Sequence, residues 1–266
     1  MIELFTIVLS GLFTLVSPVG IVADHVAEGL IRERLVRADF LDVRIDNAPN
    51  FQILQGRVER VRLAGRGIYP VPELRIDIID VETDPIDIDL PGVQQGRLAL
   101  DAPIQSAAHL VLKLEDLNTL LQSQRVQQLL DQLPFSLPGQ VGAREADRYR
   151  LTNPQLEFLG GNRIRVRVDL QDQVLQEAIE ATVESGLEVV EGHRLVLVDP
   201  LVAVEGQPVP RQLINRFVEG VQDQLTLKQL VDLGITARVL QFEITPEALD
   251  LAVFVRVDPD SPLLNP

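Results

Sequence analysis

The order of elements along the chain predicts an α+β protein with a largely antiparallel sheet. Three observations carry this expectation. Period-two alternation of apolar and polar residues fills two long blocks, helical spacing is confined to a few short stretches, and glycine-rich turns join neighbouring strands as hairpins.

The first element is apolar. Leu4 to Val16 reads LFTIVLSGLFTLV without a charge, and the uncharged run extends through Ser17 and Pro18 to Ala23. The shorter length suits an interfacial segment or the apolar region of a signal peptide, and the longer one could just cross a bilayer. A third reading takes Ser17 as N-cap and Pro18 as first helical residue. Val19, Val22, Ala23, Val26, Ala27, Leu30 and Ile31 then share one face of an amphipathic helix reaching Arg37, opposite Asp24, His25, Glu28, Arg32 and Glu33. Residues 1–38 are thus expected to form an N-terminal apolar and amphipathic helical segment, which could span, anchor, be cleaved or pack on the fold.

Alternation begins with Leu41, Val43 and Ile45 and continues through Val61 and Leu63. Gly65 and Gly67 stand where a strand would bulge or bend. ELRIDIIDVETD and PIDIDLPG supply two more strands, and a longer one follows around RLALDAPIQSAAHLVLKL, with Ala108, Leu110, Leu112 and Leu114 on one face. From Glu115 the spacing turns helical. Leu117, Leu120 and Leu121 point one way, whereas Val126, Leu129, Leu130 and Leu133 point nearly opposite, so two short helices broken near Ser123 are expected. FSLPGQVG, residues 135–142, is a loop.

A second strand block opens at Tyr149. LEFL and RIRVRVDL form a hairpin around Gly160, Gly161 and Asn162, and further strands occupy Val183 to Val190 and Leu195 to Val204. After Pro208 and Pro210 comes the best amphipathic helix, with Leu213, Ile214, Phe217, Val218, Val221 and Leu225 in one arc. Thr226 caps a short helix that Gly234 stops after Leu233, and a final hairpin precedes a proline-rich tail. The expected organisation is one large domain over 39–258 with a tail at 259–266.

Composition narrows the function classes. Hydrophobic residues make up 46% of the 266 positions and aromatics only 4%, with no Trp and one Met, so any interior is smooth, aliphatic and chemically inert. A net charge of −15 opposes a nucleic-acid partner, whose phosphates need a basic footprint. The absence of cysteine removes disulfides, thiolate nucleophiles and Cys-ligated metals. His25, His109 and His193 have no partner at metal or triad spacing, and no phosphate loop, nucleophile elbow or dinucleotide motif occurs, so neither catalytic residues nor a cofactor is expected.

Two charged groups each admit two readings. Asp77, Asp80, Glu82, Asp84, Asp87 and Asp89 could collect calcium, but Asp87 and Asp89 alternate with Ile86 and Ile88 as on the wet face of a strand, without a glycine-turned ligand loop, and no metal site is expected. Arg57, Arg60, Arg62 and Arg66, and Arg163, Arg165 and Arg167, suit either solvated faces paired with carboxylates or forks for a phosphate.

NAPNFQILQGRVERVRLAGRGIYPVPELRIDIIDVETDPIDIDL, with LDAPIQSAAHLVLKLEDLNTLLQS and QLTLKQLVDLGITARVLQFEI, resembles the bacterial LmeA-like proteins over about Val19 to Asp258. The likeness lies in ordered pattern, without a catalytic signature. It implies a fold related to the tubular lipid-binding proteins: a long, strongly curved antiparallel sheet wrapped around helices, leaving an apolar groove. It also implies phospholipid or another acyl-chain lipid as partner, and a membrane-associated place in the cell envelope, on the periplasmic side or its equivalent. The residues that would serve are the apolar helix faces, Leu117, Leu120, Leu121, Leu213, Phe217 and Val221, with Arg163, Arg165 and Arg167 near the headgroup. The same pattern would also build a solid-cored scaffold or protein-interaction module.

Overall fold

The computed structural model describes residues 28–46 apart from 30 and 34, 55–89, 91, 100–131, 149–210 apart from 176, and 225–262. The chain divides into two compact units. Unit 1 comprises residues 1–112, 227–242 and 250–266, and unit 2 comprises 113–226 and 243–249.

Unit 1 is built on a six-stranded antiparallel sheet. Its strands are β1 (Arg37–Asp46), β3 (Arg60–Val71), β4 (Leu74–Thr83), β6 (Ile104–Lys113), β12 (Ile235–Ile244) and β13 (Ala248–Val257), in the order β1-β3-β4-β6-β13-β12. A two-stranded ribbon pairs β2 (Arg57–Val58) with β5 (Ile86–Asp87). The alternation seen in sequence becomes a sealed core. Val43 faces Leu63 and Ile45 faces Val61 across the β1–β3 pair, and Ile76, Ile235 and Val257 are all but inaccessible. Burial of such aliphatic side chains, at about 25 cal/mol per Å², is what holds the sheet.

Helical residues 28–29 and 31–33 precede β1, with Ile31 and Leu35 packed on this core and Arg32 paired with Glu28 one turn earlier. The rest of the expected N-terminal segment lies outside the described residues. Both glycines singled out in β3 serve packing. Gly67 has φ of 58°, and a Cβ there would strike the Asp39 carboxylate. At Gly65 a Cβ would lie 2.7 Å from the Ile79 side chain. The closing 3-10 helix, Leu227–Leu233, ends as expected at Gly234, whose φ is 68°. Ser261, from the proline-rich tail, is buried here and donates to the Leu233 carbonyl at 2.6 Å.

Unit 2 carries helices α1 (Leu114–Leu121) and α2 (Gln124–Asp131) and a five-stranded antiparallel sheet. Its strands run in the order β11-β10-β9-β8-β7: β7 (Tyr149–Gly160), β8 (Arg163–Asp172), β9 (Ala178–Val190), β10 (Arg194–Val204) and β11 (Gln207–Pro208). The helices break where the spacing requires, and Ser123 accepts the Val126 N–H at 3.3 Å to start α2. Gly160, Gly161 and Asn162 all take positive φ in the β7–β8 turn.

One expectation needs correction. The described strands form no single long, strongly curved sheet but separate sheets that are neither closed nor strongly curled. The reason is edge availability. β6 already has β4 on one side and β13 on the other, so β7 has no edge there to join and starts a new sheet.

Candidate functional site

Strand alternation sorts unit 2 into two chemically opposite faces. Directly paired residues of an antiparallel sheet share a face, so Leu156, Val166, Val183 and Val202 form one aliphatic row across β7, β8, β9 and β10. Leu151, Leu170 and Ile179 form a second row. Most of these side chains are only half-buried. Among the described hydrophobic residues of unit 2, only Phe158, Leu170, Ala181 and Ile244 are buried, in contrast to the closed core of unit 1. Sheets expose a polar face to water and cover an apolar one, so a broad aliphatic face left half-accessible marks a surface for an apolar partner.

Helix α1 lies beside the edge strand β7, and amide side chains hold it there. Asn118 donates from Nδ2 to the Leu156 carbonyl and accepts the Leu156 N–H at Oδ1, both at 2.8 Å. Gln122 donates to the Pro154 carbonyl at 2.6 Å, and Gln127 of α2 to the Leu151 carbonyl at 3.0 Å. These three side chains satisfy main-chain groups that an edge strand otherwise leaves open. The interruption at Asn153 and Pro154, where the β7–β8 register shifts, is also tolerated only at an edge. Leu117, Leu120 and Leu121, the sequence-nominated residues of α1, are half-buried, and no residue of α1 is fully buried. Leu213, Phe217 and Val221 lie outside the described residues.

The opposite face of the sheet is ionic. Arg163, Arg165 and Arg167 alternate with Ile164, Val166 and Val168, so the guanidinium groups and the aliphatic rows occupy different sides of β8. Each arginine is already engaged. Arg163 donates to Glu184 at 3.0 Å, Arg165 bridges Glu157 at 2.8 Å and Glu184 at 3.0 Å, and Arg167 pairs with Glu157. Hydrogen bonds from Arg163 and then Arg165 hold the Glu184 carboxyl below the usual glutamate range, and Glu184 and Glu157 raise Arg165.

Unit 1 pairs the arginines noted in sequence with carboxylates, in the β2–β5 ribbon for Arg57 and on a charged face of the six-stranded sheet for the other three. Arg57 pairs with Asp87, Arg60 with Glu82, Arg62 with Asp46 and Arg66 with Asp80. The same face places His109 between Asp250, 3.1 Å from Nε2, and Asp80, 3.9 Å from Nδ1. An open depression of about 490 Å³ lies here among Arg44, Arg62, Asp80, Glu82 and His109. Sequence spacing missed the histidine cluster because its partners come from β4 and β13, the latter 141 residues away. Among the described residues no three His, Asp or Glu side chains are grouped to hold a metal. No described helix is long and apolar enough to cross a membrane.

The geometry defines a class: a β-rich α+β protein with one sealed core and one half-covered aliphatic sheet face flanked by an amide-clamped helix. The chain belongs to the LmeA-like phospholipid-binding family, whose model matches residues 16–254. No curated protein and no solved structure matches it.

Proposed function

We propose that this protein binds phospholipid without catalysing a reaction on it, with the acyl chains lying along the aliphatic face of unit 2. The observation that carries this reading is the partly accessible row Leu156, Val166, Val183 and Val202, in a unit where few described aliphatic side chains are fully buried, whereas unit 1 buries an extended cluster of the same residue types. Membership of a phospholipid-binding family supplies the ligand class. Leu117, Leu120 and Leu121 of α1 and, from the sequence arc, Leu213, Phe217 and Val221 supply the remaining acyl contacts. A headgroup phosphate would reach Arg163, Arg165 or Arg167 only by displacing Glu157 or Glu184, so those arginines are secondary contacts in this reading. The setting that fits is a membrane of the cell envelope, on its periplasmic side or the equivalent, where the protein would carry lipid or maintain its distribution.

The test is lipid content. The purified full-length chain, extracted with organic solvent and analysed by mass spectrometry, should yield phospholipid at near one-to-one stoichiometry, or take it up from vesicles. Leu117→Asp with Leu121→Asp should abolish both while the far-ultraviolet circular dichroism of the sheets is retained. A chain that neither yields nor takes up lipid would instead be a scaffold.

A further inference from the structure

The β8–β9 turn of unit 2 carries two large aliphatic side chains in solvent: Val174 is 72% exposed and Leu175 60%. Turns ordinarily place Gly, Asn, Asp or Ser at such positions, because these residues shape the backbone and are well hydrated. Here a buried carboxylate shapes the backbone instead. Asp172, 2% exposed, accepts the Val174 N–H at 2.8 Å and the Leu175 N–H at 3.1 Å, while its own N–H donates to the Glu177 carbonyl at 2.8 Å. The apolar pair is therefore held outward by a fixed turn.

Two features of the surroundings select the surface it fits. Leu170 and Ile179, paired immediately below the turn, belong to the aliphatic face, so the tip is continuous with the candidate lipid site. Residues 168–180 also contain four carboxylates, Asp169, Asp172, Glu177 and Glu180, and no Lys or Arg, and with Arg150 of β7 opposite Gln171 counted the tip stays net negative. That local charge is repelled by anionic headgroups and tolerates zwitterionic ones.

We propose that the β8–β9 tip docks on a bilayer surface of zwitterionic phospholipid, with Val174 and Leu175 entering the interface so that the aliphatic face of unit 2 begins at the membrane. The proposal rests on the lipid-binding reading and adds the place where lipid enters. Two inserted aliphatic side chains give a weak, reversible contact, as lipid collection requires.

Because the chain has no Trp, one introduced indole reports without background. Full-length Leu175→Trp is mixed with phosphatidylcholine vesicles carrying bromine on the upper acyl chain. Its emission should shift to the blue and be quenched, whereas Leu201→Trp, on the ionic face of the same sheet, should do neither. Replacing half the phosphatidylcholine with phosphatidylglycerol should weaken the quenching. Val174→Asp with Leu175→Asp should slow lipid uptake from vesicles by about tenfold, leaving uptake of monomeric dihexanoyl phosphatidylcholine unchanged. An indole at 175 that stays water-exposed overturns the docking, whether the tip engages a protein or nothing, and equal quenching on anionic vesicles overturns the surface assigned. Monomer uptake without quenching sinks the docking alone. Quenching without any lipid uptake sinks the lipid-binding reading alone.

Discussion

Replacing Asn118 with alanine removes the reciprocal pair of hydrogen bonds that joins α1 to β7. Each of these bonds, to the N–H and the carbonyl of Leu156, is 2.8 Å long and partly buried. At about 1 kcal/mol net per bond the loss is about 2 kcal/mol. Alanine recovers roughly 0.6 kcal/mol of helix propensity over asparagine, leaving a net cost near 1.5 kcal/mol. For a chain of this size that lowers the melting temperature by about 3–6 °C. The sharper assay is amide hydrogen exchange. Leu156 donates to Asn118 rather than to a neighbouring strand, so its protection should fall selectively while Val166 and Val183 in the same row stay protected. If Leu156 keeps its protection and the melting temperature does not move, the amide clamp does not hold α1, and the proposed contribution of Leu117 and Leu121 to lipid binding loses its support.

Other substitutions probe independent features. Gly65→Ala places a methyl 2.7 Å from Ile79 in the sealed core, and calorimetry should register a loss of about 1–3 kcal/mol, since overpacking cannot relax there. Glu184 has a depressed folded-state pKa, so its stabilisation is complete above the ordinary glutamate value of about 4.3 and fades as pH falls through the folded value. The stability gap between the natural chain and Glu184→Gln should therefore be present at neutral pH and close in acid, and a gap independent of pH would remove the ion network as its cause. Asp172→Ala strips two turn N–H groups of their acceptor and should speed proteolysis next to Val174, while leaving β7–β8 exchange protection in place.

Much of the strand content was legible because alternation is local. Leu41, Val43 and Ile45 signal a half-buried strand whatever they pair with, and the turns at Gly160–Asn162 and Gly234 follow from residues that tolerate positive φ. The break near Ser123 followed from a helical wheel on which two leucine sets diverge. What alternation cannot report is which strand lies alongside. The same pattern fits one curved sheet or separate sheets, and the choice falls to edges closed by residues far away in sequence. The sequence does not single out Asn118, Gln122 and Gln127, because their partners in β7 lie 24 to 38 residues on. His109 looked solitary for the same reason, with Asp250 at the other end of the chain. The aliphatic row Leu156, Val166, Val183 and Val202 was missed, because it exists only once four strands are aligned in register.

The six-stranded sheet draws β1, β3, β4 and β6 from early in the chain and β13 and β12 from its end, and this has a consequence during biosynthesis. β6 emerges with its second edge unpaired and waits for β13, with His109 and Asp250 separated by 141 residues. At a translation rate of about 5–20 residues per second the wait is roughly 7–28 seconds. Throughout it the nascent chain displays an open edge beside Ala108, Leu110 and Leu112, a template for unwanted strand addition. Chains cut short before residue 248 would keep that edge permanently, so nonsense or frameshift products should be cleared by proteases or accumulate as aggregates rather than persist as partly active fragments.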